Sequence, residues 1–128
     1  MTDHPITVAI DAMGGDNSPE VTVAGAILST RQNKFNVLLV GDKASLEKEL
    51  SKHDTENLSI KIIPSEGKIE DSEAPALGLR QKPKASIVVA TSLVKKGKAD
   101  AVISMGSTGA TMAAAVVLLG TIDGIDRP

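Results

Sequence analysis

Two glycine-rich segments carry the residues best suited to holding a negative charge. Residues 105–110 read Met-Gly-Ser-Thr-Gly-Ala, and residues 11–17 read Asp-Ala-Met-Gly-Gly-Asp-Asn. In the first, Gly106 and Gly109 bracket two hydroxyls, Ser107 and Thr108, at the mouth of a run of small apolar residues. Glycine lets another molecule approach the main chain, and the free N–H groups that open a helix bind anions at the positive end of its dipole. The two hydroxyls add donors, so a phosphate group suits this chemistry. The same tetrapeptide also serves as a plain helix cap, and neither the Walker pattern nor G-x-G-x-x-G is present. In the second segment Gly14 and Gly15 supply a tight turn. Asp11 and Asp16 read as loop-orienting acceptors of main-chain N–H groups, since a carboxylate facing a phosphate dianion repels it. A turn closed by an aspartate accounts for that spacing equally well. Two carboxylates could hold a magnesium ion, but without a third ligand no metal is expected.

Cations that could answer a phosphate are Arg80, Lys82 and Lys84. Each reads equally as solvated surface charge. Arg80 is favoured, because Ala-Leu-Gly-Leu-Arg (76–80) sets it on a short helical turn. His4 and His53 read as surface residues, and Met105 as a core residue ending a strand.

These residues need a frame. Residues 6–10, 36–41, 58–64 and 100–105 are short, apolar and β-rich, and predict buried strands, the third interrupted by Lys61. Helices are predicted over 18–32, with Ser18 as cap and Pro19 in the first turn, and over 42–53, where Leu46 and Leu50 lie four apart. Residues 85–100 could supply a strand at Ile87–Val89, but their length, Lys95, Lys96 and Gly97 favour a helix. A last helix is predicted over 107–119, apolar on nearly every side, so a covering surface is expected beyond its own sheet. Residues 65–84 read as a long loop with one helical turn near 76–80, and loops of that length are usually functional or disordered. The alternation predicts a single α/β domain over 1–128, a Rossmann-like, mostly parallel sheet with right-handed crossovers and helices on both faces. Both glycine segments then follow strands at the carboxyl edge, where open α/β sheets bind ligands.

Composition narrows the function. The chain has 128 residues, a formal charge of −2, no cysteine and one aromatic residue, Phe35. Thiolate nucleophiles, disulfides and cysteine-bound zinc are excluded. Without a basic block or stacking aromatics, nucleic acid is not an expected partner. The N-terminus lacks the pattern of a signal peptide, and no apolar run approaches a membrane span.

Five segments in order, VAIDAMGGDNSPE (8–20), VLLVGD (37–42), GLRQKPKAS (78–86), ADAVISMGSTGA (99–110) and GIDRP (124–128), together resemble the bacterial phosphate acyltransferases of phospholipid synthesis. Members of that family are much longer, so the resemblance is to their N-terminal portion. It implies a fold similar to phosphotransacetylases and isopropylmalate dehydrogenases. It implies transfer of a fatty acyl group from acyl carrier protein to inorganic phosphate without a cofactor, in a cytoplasmic homodimer peripherally associated with the membrane. Phosphate is already ionised, so such an enzyme needs no serine or cysteine nucleophile. Its tasks are positioning and oxyanion stabilisation. On this reading Gly106, Ser107, Thr108, Gly109 and Lys82 hold phosphate, and Ser107, Thr108 and Arg80 serve catalysis. The chain departs from the family at Ser107, where asparagine is usual, at Ala85, where serine is common, and at Ala74, where an acidic residue is frequent. A docking or dimerisation module that binds carrier protein or a membrane surface is the alternative. A nicotinamide-binding half-domain is disfavoured by the missing phosphate fingerprint and by the absence of the usual acidic residue after the second strand.

Overall fold

The structure is a computed structural model that describes residues 4–128. Four parallel strands form one sheet: β1 (Thr7–Asp11), β2 (Asn36–Gly41), β3 (Ile60–Pro64) and β4 (Ala101–Ser104), in the order β3-β2-β1-β4. Five helices connect and follow them: α1 (Glu20–Gln32), α2 (Lys43–Leu50), then α3 (Pro75–Gln81) and α4 (Ser86–Lys95) in succession between β3 and β4, and last α5 (Thr108–Leu118). The result is the expected Rossmann-like α/β arrangement.

Strand side chains alternate between two cores. Ile10, Val37 and Leu39 pack on one face with Val23, Ala26 and Ile27 of α1 and Leu46 of α2. Ala9 and Val40 face the other way, against Ala90 and Leu93 of α4. A third cluster joins α4 to α5 through Ile87, Ala110 and Ala114 and draws in Ile69 from the segment after β3. With one aromatic residue in the chain, close packing of small aliphatic side chains supplies the stabilisation.

Several local readings are adjusted. Ser18 does not cap α1. That helix starts at Glu20, after Pro19, with no side-chain cap, and the Ser18 hydroxyl donates instead to the Gly14 carbonyl. The turn near 76–80 is a two-turn helix, α3, opened by Pro75. Residues 86–95 are helical, as Gly97 suggested. At φ 72° Gly97 adopts the left-handed conformation that ends the helix, and its N–H reaches the Val94 carbonyl. The second helix is capped by Asp42, which accepts from Ser45 N at 2.9 Å and Ser45 Oγ at 2.6 Å, and it ends at Leu50, short of His53. The strand expected over 58–64 begins at Ile60.

The apolar helix α5 is covered on one side only: Ala110 and Ala114 are buried, while Met112, Val116 and Val117 are exposed. The two sheet edges also differ. β3 carries exposed Lys61 and ends in Pro64, whereas β4 leaves Ile103 48% exposed and is followed by Met105 at 54%.

Candidate anion site at the switch point

Strand order reverses between β1 and β4. The first crossovers run outward from β1 to β2 and β3, and the chain then returns to pair β4 on the opposite side of β1. Loops leaving two such neighbours diverge to opposite faces and open a crevice at the carboxyl edge. Both glycine segments leave these two strands.

They meet main chain to main chain. A Cβ on Gly14 would stand 2.8 Å from Gly106 N and 3.0 Å from Gly106 Cα, and one on Gly106 would stand 3.1 Å from Gly14 Cα. Gly15 sits at φ 105°, a conformation that side chains disfavour, against the Met105 carbonyl. One buried carboxylate joins the two turns. Asp11, 3% exposed, accepts from Met13 N at 3.2 Å and Gly14 N at 3.1 Å through Oδ1, and from Ser104 Oγ at 2.7 Å through Oδ2. Ser104 Oγ in turn accepts from Gly106 N at 3.1 Å. The pairing follows from register, because Asp11 and Ser104 end their strands side by side.

The Gly106 amide is therefore turned inward, and the open donors begin one residue later. Among the described residues, the N–H groups of Ser107, Thr108 and Gly109 meet no acceptor. Ser107 is the N-cap of α5. Its Oγ accepts from Ala110 N at 3.2 Å, which leaves its own proton to donate. Asparagine, usual here in the family resembled, caps a helix in the same way.

A crevice of about 320 Å³ lies between the turns. Gly14, Gly15, Asp16, Gly106 and Ser107 line it, and residues 68–71 form a third wall. Lys68 is the cation among its lining residues, 3.8 Å from Glu70 Oε2, beside Asp16, Glu70 and Asp71. Arg80 and Lys82 are not in that lining. Arg80 lies exposed in the last turn of α3. Lys82 reaches back to the third wall, bonding Glu73 Oε1 and, at 3.0 Å, the Lys68 carbonyl. Lys82 holds the Glu73 carboxyl below its ordinary value of 4.5, and a bond from Glu70 N lowers it further. Thr108 is exposed beside the turn, and Gly109 touches Pro75, where a Cβ would stand 2.8 Å from Pro75 Cγ. Sequence reasoning missed Ser104 and Lys68. A lone hydroxyl inside the apolar run Ala-Val-Ile-Ser-Met was a signal for the first, while nothing local marked the second.

Among the described residues no group of three or more His, Asp or Glu side chains is placed to hold a metal ion, and no helix is long and apolar enough to cross a membrane. Main-chain N–H and hydroxyl donors beside a switch-point crevice define a class: a Rossmann-like α/β protein whose sheet edge is chemically suited to a small anionic group. The particular family follows from comparison. Residues 6–128 match the family described as fatty acid synthesis protein, and the chain belongs to it. It is 54% identical over 121 residues to a phosphate acyltransferase of Acaryochloris marina, covering 94% of this chain and 35% of that protein. A phosphate acyltransferase of Herpetosiphon aurantiacus is 46% identical over 94% of this chain and 33% of its own length. One from Picosynechococcus is 47% identical over the whole chain and 35% of its own length. The chain thus spans about a third of the length of the curated relatives it matches.

Proposed function

We propose that this chain holds inorganic phosphate for acyl transfer from acyl carrier protein, forming an acyl phosphate for phospholipid synthesis. The observation that carries the reading is the set of amides at Ser107, Thr108 and Gly109 that meet no acceptor among the described residues, in the turn whose Gly106 and Ser107 line the switch-point crevice. The phosphate acyltransferase name of the relatives supports it. A phosphate oxygen attacks the thioester carbonyl carbon, a C–O bond forms, and the carbonyl electrons collect on oxygen. That tetrahedral oxyanion collapses, the C–S bond breaks, and the carrier leaves as its thiolate. The amides and the Ser107 and Thr108 hydroxyls orient phosphate and disperse charge, and Lys68, the cation among the crevice's lining residues, offsets the charge of the incoming dianion. Lys82 acts through the wall it anchors. Glu70, Asp71 and Asp16 at the mouth oppose a dianion, so the amides and cations must outweigh them at close range.

The test is acyl-phosphate formation from acyl carrier thioester and phosphate. Loss of one preorganised donor typically costs about 10² to 10³ in rate, and Gly106→Ala, which displaces the turn, is expected in that range. Unchanged rates and phosphate KM in Gly106→Ala and Thr108→Ala would remove this turn from the site. A second reading, a dimerisation or docking module, is favoured by the exposed Met112, Val116 and Val117 of α5. It shares with the first the proposal of a cytoplasmic homodimer lying against the membrane. Under it, phosphate would leave the 107–109 resonances unmoved.

A further inference from the structure

We infer that Ser104 is a positioning residue for the anion site, setting the direction of the 106–109 turn through Asp11; this rests on reading the site as a phosphate holder. The Ser104 hydroxyl is shared between two groups that nothing else joins: it donates to Asp11 Oδ2 at 2.7 Å and accepts from Gly106 N at 3.1 Å. Asp11 is nearly buried and bonds no cation among the described residues. Three donors hold its carboxylate: two amides from the first turn and the hydroxyl from the end of β4. Beside the Gly14–Gly106 packing, the hydrogen bonds that tie the first turn to the second run through a single hydroxyl oxygen. Gly106 N–H is drawn to Ser104, while the next three amides meet no acceptor among the described residues and remain open for a ligand. A hydroxyl suits this post because it donates and accepts at once, and alanine in its place leaves both Asp11 Oδ2 and Gly106 N–H unpaired. The ladder that pairs β4 with β1 is main-chain and survives the substitution.

Titration of the 128-residue protein with inorganic phosphate, read by the amide resonances of 107–109, tests this. Ser104→Ala is expected to weaken phosphate binding about tenfold while the resonances of β1, β2 and β3 stay in place, and Ser104→Thr, which keeps the hydroxyl, to restore it. The Gly106 amide should shift in Ser104→Ala and return in Ser104→Thr, a response that a general loss of stability does not give. If Ser104→Ala does not fold, Ser104→Cys, with a weak donor, makes the same comparison against Ser104→Thr. Wild-type affinity in the folded hydroxyl-deficient variant overturns the inference and leaves the phosphate reading standing. No response of 107–109 in the wild-type protein overturns both.

Discussion

Gly14 and Gly106 lie back to back, with no room for a methyl group on the first: its Cβ would stand 2.6 Å from Asp11 Oδ2 and 2.8 Å from Gly106 N. The neighbours are main chain and a tethered carboxylate, neither of which moves freely. Gly14→Ala should therefore cost about 1–3 kcal/mol of stability and part the two turns. Gly25, in the exposed middle of α1, has nothing within 4 Å of its would-be Cβ. Gly25→Ala should stabilise by about 0.5–1 kcal/mol, since alanine restricts the unfolded chain more. Urea unfolding of the two variants gives opposite signs if the packing is as described.

Ser107→Ala removes the cap of α5 and should lower stability by about 1 kcal/mol, while Ser107→Asn should hold it near wild type. Thermal melts of the pair check this. Equal losses in both would mean that Oγ does something an amide oxygen cannot.

Lys82→Met frees the wall formed by residues 68–71 and should weaken phosphate binding without changing the 107–109 amides in the free protein. The Glu73–Lys82 contact has a pH signature. Glu73 is held below its ordinary value of 4.5, so the contact stabilises the fold fully above that value. The contribution is lost as pH falls through the lower folded value. Asp42, lowered from 3.8 by the Ser45 hydroxyl and amide, behaves the same way. Stability of the wild type should therefore fall below about pH 4 more steeply than that of Glu73→Gln. Parallel acid titrations of the two would contradict the pairing.

Ser86 is 1% exposed and its hydroxyl meets no partner among the described residues. An unpaired buried hydroxyl is costly, so Ser86→Ala should be neutral or stabilising by up to about 1 kcal/mol. A clear loss in denaturant midpoint would show that a water or ligand meets this oxygen in solution.

Much of the frame was legible because it depends on local pattern. Asn36–Gly41 is a strand with the predicted bounds, since an unbroken apolar run flanked by Asn and Gly admits little else. The helix over 86–95 was legible from its cationic end and Gly97. Boundaries failed where a side chain had two possible partners. Ser18 could cap the helix after it or bond the turn before it, and only the path of the chain at Gly14 decides. The site was legible as two loops, since glycines and hydroxyls announce themselves. Their mutual contact, and the part of Ser104, depend on the register of β1 against β4, whose paired residues Asp11 and Ser104 stand 93 apart in sequence. Lys68 reaches the crevice only because Ile69 is anchored in the cluster beneath α5, a tertiary event with no local mark.

The contrast between the two outer strands gives the molecule a polarity. Lys61 and Pro64 make one flank a poor template for another chain, while the opposite flank offers free main-chain groups beside Ile103 and Met105. Extension of the pleated layer, by any polypeptide, is open in one direction alone.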